Sequence, residues 1–235
     1  MPFLSVIVPA YNESATIVRT LSAMKAFLDR QNYDYEVIVS ADGTDGTREA
    51  ASGFADQDPR FIVIGSEQRG GKGRGVRNGM HIATGEIVGF IDADYKTPIE
   101  EIDKLLPALR DGADLAIGSR AVADSQIDRR QPLYRRVGSR VFAGVMRTLI
   151  GLRGIGDTQC GFKFFKSAVA KDLFSRQKID GYMFDIEILV LARKVGYRIK
   201  EVGVRWADDG DSRYDPVGGT WKNAKELLRI RFGRT

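Results

Sequence analysis

The chain of 235 residues has one cysteine, Cys160, and one histidine, His81. A lone cysteine excludes an internal disulfide and fits a reducing compartment, and a lone histidine leaves no pair for a zinc site or a Cys-His dyad. Metal chemistry, if used, must rest on oxygen ligands. Long uncharged apolar runs are also missing, so nothing reads as a membrane span. The apolar start Phe3–Ala10 is too short for a signal peptide and enters a polar loop at Tyr11-Asn12-Glu13. There is no internal repeat and no low-complexity linker. A chain of this length buries one substantial core, and a single domain over 1–235 is expected. What is present in excess is positive charge, a net +5. That predicts anionic partners, without separating nucleic acid, phospholipid headgroups and phosphorylated small molecules.

Apolar, β-branched runs at Phe3–Val8, Glu36–Ser40, Phe61–Ile64, Ile87–Ile91 and Leu115–Ile117 alternate with helix-period segments at Ala15–Leu28, Thr47–Ala55, Gly73–Ala83 and Ile99–Leu109. Ser14, Thr44 or Asp45, and Pro98 offer helix starts. The pattern predicts an α/β fold of repeated β-α units on a mainly parallel sheet. Each strand then delivers a polar loop to one sheet edge: Tyr11–Ser14, Ala41–Gly46, Glu67–Gly75 and Asp92–Thr97. Open α/β sheets bind ligands at that edge. The second half changes character. Over Pro132–Leu152, Leu133, Val137, Val141, Val145 and Leu149 recur at helical spacing, with Arg136, Arg140 and Arg147 along the opposite edge. Such a helix can lie in a membrane interface or pack as ordinary core, and Trp221–Phe232 allows the same two readings.

The segment Ile87–Asp94 carries a buried-type strand into two carboxylates separated by one residue, Asp92 and Asp94. Taken alone, the pair reads as a strand end and a turn cap. A hard divalent ion bridging phosphate oxygens would also relieve the repulsion between them. Other features support the second reading. Pro9-Ala10-Tyr11-Asn12-Glu13 offers an aromatic and an acid suited to a base or ribose, and Asp42 can accept from a base N–H. Gln68–Gly75 combines flexible backbone with Arg69, Lys72 and Arg74 before a helix, a cradle for a diphosphate or a base edge, though without P-loop spacing. No aromatic residue interleaves it, which argues against RNA. Asp157 and Glu187 read either as a cap and a solvated helix face or as acceptor-side acids.

These residues together resemble the family 2 glycosyltransferases of the inverting GT-A fold, and most closely the dolichyl-phosphate (polyprenyl-phosphate) glucosyl- and mannosyltransferases. The resemblance covers Ser5 to about Arg231. It rests on Val8-Pro9-Ala10-Tyr11-Asn12-Glu13, Asp42-Gly43, Gly71-Lys72-Gly73, Asp92-Ala93-Asp94, Gly118-Ser119-Arg120, Asp157-Thr158-Gln159-Cys160-Gly161-Phe162-Lys163 and Phe184-Asp185-Ile186-Glu187. The Asp157–Lys163 string, with Ser212-Arg213, looks more like the glucosyl branch.

The resemblance implies a Rossmann-like nucleotide-diphospho-sugar transferase fold with C-terminal amphipathic helices. In it, 1–118 would bind the nucleotide sugar, and 119–235 the acceptor and the membrane interface. Pro9, Tyr11, Glu13, Asp42 and Lys72 would hold the nucleotide, Asp92 and Asp94 a Mg2+ or Mn2+ ion, and Arg120, Arg136 and Arg213 the acceptor phosphate. Asp157 and Asp185 would orient acceptor or sugar, with Asp185 a base if the acceptor were a hydroxyl.

This chain departs from the family pattern in two places. The usual D-D-G-S-T-D is shortened to Ala41-Asp42-Gly43-Thr44-Asp45, and Lys96 stands where some mannosyl relatives carry a metal-binding Gln. An ammonium cannot ligate a metal, so Lys96 is expected to contact the diphosphate itself. The partners implied are UDP-glucose or GDP-mannose, a polyprenyl or dolichyl phosphate and a membrane surface, and not a nucleic acid. The enzyme would be cytoplasmic and peripheral to the membrane. Three rivals stay open: the same fold acting on a soluble or protein hydroxyl, a non-catalytic nucleotide- or lipid-binding module, and a nucleotidyltransferase.

Overall fold

The computed structural model describes residues 1–129, 144, 150–207 and 218–232. In chain order the elements are β1 (Leu4–Tyr11), α1 (Ile17–Leu28), β2 (Tyr35–Asp42), α2 (Thr47–Ala55), β3 (Phe61–Ile64), α3 (Lys72–Ile82) and β4 (Ile87–Ile91). A 3-10 turn (Ile99–Glu101) then leads into α4 (Ile102–Arg110), followed by β5 (Leu115–Ser119), β6 (Gln126–Arg129), β7 (Phe162–Lys166), α5 (Ser167–Arg176) and α6 (Phe184–Val195). The chain continues through β8 (Ile199–Gly203), β9 (Arg205–Ala207) and α7 (Gly218–Phe232).

Seven strands form one sheet in the order β3-β2-β1-β4-β7-β5-β8, and β6 pairs with β9 in a small ribbon. Alternation along each strand sorts side chains into two apolar layers. Leu4, Val6 and Val8 of β1 pack with Ile17, Leu21 and Met24 of α1 and with Leu105 and Leu109 of α4. Ile7 of β1 with Val88 and Phe90 of β4 faces the other way, onto Val76 and Met80 of α3 and Leu189 of α6. Both faces of the central strands are therefore covered, which is why β1 and β4 read as near-continuous apolar runs.

The sequence pattern places sheet-building in the first half, and the structure corrects this. β7 lies between β4 and β5 and runs antiparallel to both, and β8 closes the far edge. The reason β7 escapes the pattern is Lys163, a cation set among Phe162, Phe164 and Phe165 that is fully buried. Smaller corrections concern helix starts. α1 begins at Ile17 rather than at Ala15, and the Ser14 amide bonds Asp45 Oδ2 at 3.0 Å instead of Ser14 capping the helix. Most of Pro132–Leu152, including Arg136, and all of Ser212-Arg213 lie outside the described residues. Among the described residues no helix is long and apolar enough to cross a membrane.

Candidate active site

β1 runs parallel to both β2 and β4, with Tyr11 in register beside Asp42. Chain order reverses across β1, since β2 and β3 lie on one side and β4 on the other, so their carboxyl ends open a crevice. A cavity of about 710 Å3 fills it. Its walls come from all four loops expected from the sequence: Tyr11–Ser14, Asp42 with Asp45, Arg69 with Gly71 and Lys72, and Asp92–Asp94 with Lys96. Pro9 lines it too.

At the β1–β2 end, Asp42 accepts from the Gly70 amide at 2.7 Å, the Ser66 amide at 3.2 Å and the Arg74 guanidinium at 3.2 Å. This one carboxylate folds the glycine-rich basic loop over the end of β2. Arg69 lies over the Tyr11 ring, 4.4 Å from its centroid, and reaches the Tyr182 hydroxyl at 3.4 Å. Glu13 accepts from the Thr16 hydroxyl at 2.9 Å, and its amide donates to the Thr47 hydroxyl at 2.8 Å. These bonds pin the β1 loop to the start of α2.

At the β4 end the chemistry is ionic. Lys72 Nζ, at the start of α3, is 2.5 Å from Asp92 Oδ1, and Lys96 Nζ is 3.3 Å from Asp94 Oδ2. Burial would lower the Lys72 ammonium, but Asp92 and then Asp185 outweigh it and hold it above its ordinary value. Asp94 is pushed up, first by burial and then by the neighbouring charge of Asp92. Local backbone explains how these groups meet. Tyr95 adopts φ 57°, costly for a bulky residue, and this turn brings Lys96 back over Asp94. Gly161 abuts the Asp92 carboxylate so closely that a Cβ there would collide with its oxygens.

Asp92 and Asp94 both line the cavity, and their oxygens are hard ligands that suit a divalent ion. Among the described residues no group of three or more acids, His or Cys gathers there.

Asp157 and Asp185 lie back from this cavity. Asp157, just before β7, receives Arg120 through Nε at 2.6 Å, Nη2 at 2.9 Å and its amide at 3.1 Å. Burial would raise its carboxyl, but Arg120 outweighs burial and holds it at about 2. Arg120 also stands 5.4 Å from the Trp206 ring centroid. Asp185, at the start of α6, is buried against Lys163 at 2.6 Å. Glu187 is not a solvated face. It is buried and accepts from the Lys178 and Ile179 amides.

Lys163, Tyr182 and Trp206 carry interactions to which the sequence pattern assigned no role. Lys163 had a signal, because a lysine inside a run of phenylalanines requires a buried acid. Of the arginines expected around an acceptor phosphate, only Arg120 lies within the described residues.

The model of glycosyl transferase family 2 matches residues 5–174. The chain is similar to the dolichyl-phosphate beta-glucosyltransferase of Drosophila melanogaster, 35% identical over 241 residues, covering 97% of this chain and 74% of that protein. It is 32% identical over 243 residues to that of Dictyostelium discoideum, covering 98% and 74%. Among solved structures, glucosyl-3-phosphoglycerate synthase of Mycobacterium tuberculosis, in complex with Mn2+, UDP and phosphoglyceric acid, aligns with a TM-score of 0.73. That alignment, at 21% identity over 97% of this chain and 77% of the other, shows the shared GT-A-like fold. The chain belongs to glycosyl transferase family 2 and is a glycosyltransferase.

Proposed function

We propose that this enzyme transfers glucose from UDP-glucose to a polyprenyl or dolichyl phosphate, with inversion, at a membrane surface. The observation that carries the proposal is the paired charge at the end of β4, Asp92 with Lys72 and Asp94 with Lys96, in the crevice where sheet order reverses. The named relatives supply the choice of donor sugar and lipid acceptor.

Pro9, Tyr11, Glu13 and Asp42 hold the nucleoside, Arg69 covering the Tyr11 face. Lys72 and Lys96 meet the diphosphate. Asp92 and Asp94 would hold Mg2+ or Mn2+, and the ion would supply positive charge toward the nucleoside diphosphate. Lys72 stabilises the same charge from the N-terminus of α3, where the helix dipole adds to it. The acceptor phosphate is received by Arg120, together with Arg136 and Arg213 from the segments outside the described residues. Asp157 fixes the Arg120 fork by its bidentate contact.

A lipid monophosphate loses its second proton near pH 6, so its oxygen is already anionic and needs orientation more than deprotonation. The surroundings of Asp185 favour that acceptor over a hydroxyl. Its carboxylate is buried against Lys163, an arrangement suited to positioning rather than to taking a proton from a substrate. Approach to a lipid is served by the outer side of α7, where Leu228 and Phe232 are exposed beside Arg229 and Arg231. The enzyme would then be peripheral to the cytoplasmic face of a membrane.

A panel of nucleotide sugars with Mn2+ or Mg2+, with and without a short polyprenyl phosphate, tests the proposal. The expected result is UDP released from UDP-glucose only when the lipid is present. Release of GDP from GDP-mannose instead, or hydrolysis of UDP-glucose indifferent to lipid, would overturn the donor or the acceptor respectively.

A further inference from the structure

Lys163 is the most deeply buried cation of the described residues: its side chain is 0% exposed, in the middle of the central sheet. It stands on the face of β7 that meets α6, 5.6 Å from the Phe90 ring centroid. Its ammonium donates to two acceptors only 2.6 Å away, Asp185 Oδ1 and the Cys160 carbonyl oxygen. A buried ion pair seldom stabilises a fold more than apolar side chains of the same volume would. Its presence calls for a reason beyond packing.

Both acceptors lead to the catalytic edge. Asp185 acts electrostatically on Lys72, and the Phe184 ring beside it lies 5.9 Å from Lys72 Nζ. Cys160 precedes Gly161, whose carbonyl accepts the Asp92 amide at 3.1 Å and whose bare Cα makes room for the Asp92 carboxylate. Lys72 and Asp92 are themselves in contact. One ammonium thus anchors both supports of that pair, the acid facing the lysine and the loop cradling the aspartate.

We propose that Lys163 is a positioning residue of the donor site, holding Asp185 and the Cys160-Gly161 turn so that Lys72 and Asp92 present a fixed geometry to the diphosphate. The inference rests on the reading of that edge as a nucleoside-diphosphate site. A fold-holding ion pair would affect stability alone. A positioning pair affects donor affinity even where stability is restored.

The test replaces the pair by apolar side chains, Lys163→Met with Asp185→Leu, in the full chain. Should that chain fail to fold, Lys163→Gln with Asp185→Asn, which keeps a hydrogen bond, is read in its place. Calorimetry with UDP and with GDP, each with MnCl2, is run beside thermal unfolding. For the nucleotide that the wild type binds, Kd is expected to rise about tenfold or more in the folded variant, the size seen when a ligand's support is removed. The KM of the donor rises with it. Glu36→Gln, a buried carboxylate at the opposite sheet edge, should lower the melting temperature and leave Kd within about twofold. A folded variant that binds the nucleotide as the wild type does would overturn the inference alone. A wild type that binds neither nucleotide would overturn the donor reading and this inference with it.

Discussion

The two ends of the central strands both hold buried or half-buried acids, yet they satisfy them by different means. At the amino end, Glu36 accepts from the Ser5 hydroxyl at 2.6 Å, the Thr84 amide at 2.7 Å and the Thr84 hydroxyl at 3.0 Å. Neutral donors from β1 and from the turn after α3 close that end. At the carboxyl end, Asp92 and Asp94 face lysine ammonium groups on long, adaptable stems. Hydroxyls and amides make a fixed joint, whereas a lysine can transfer its charge from a carboxylate to an incoming phosphate with little rearrangement. The first end is built to stay closed and the second to exchange partners.

The sharpest way to break this contrast is Asp92→Asn. It should cost about 10²–10³-fold in kcat, the size expected when a group that stabilises transition-state charge is lost, with folding intact by circular dichroism.

Next comes Arg120→Met. Breaking a buried ion pair costs about 3–5 kcal/mol. With 32% of the Arg120 side chain in solvent, about 2 kcal/mol is expected from urea unfolding. The same pair sets an acid limit. Asp157 is held at about 2 in the folded chain, against about 3.9 unfolded. Its contribution is therefore complete above about pH 4 and is lost as pH falls through about 2. Stability measured by urea unfolding across those limits should fall with pH in the wild type and change less in Asp157→Asn.

Smaller still is Lys96→Gln, expected to weaken UDP-glucose binding about five- to tenfold, as for one charge-assisted bond of about 1 kcal/mol. Unchanged donor and metal affinity would remove Lys96 from the diphosphate. Smallest is Asp94→Asn. Because burial and Asp92 push Asp94 up, its ionised form opposes folding at neutral pH. Relief of that repulsion should raise the melting temperature slightly in metal-free buffer, as read by thermal unfolding.

The sequence made the first half legible because its strands are bounded by polar loops and buried on both faces. β3, β4 and α2 fall on the residues the pattern marks. The loops that line the cavity were legible for the same reason, since alternation of strand and helix sends them to one edge. β7 was not, because Lys163 looks like an interruption until its partner, 22 residues further on, is placed against it. Arg120 was legible as a cation near the site but not as the partner of Asp157, 37 residues away. Pairings across the fold between a loop and a strand leave no local period.

The contrast between the two strand ends is probed by calorimetry of UDP binding with and without Mn2+ in three proteins: wild type, Asp92→Asn and Glu36→Gln. The expected result is metal-enhanced binding in the wild type, its loss in Asp92→Asn and its retention in Glu36→Gln. Binding indifferent to metal, or weakened equally by the two substitutions, would contradict it.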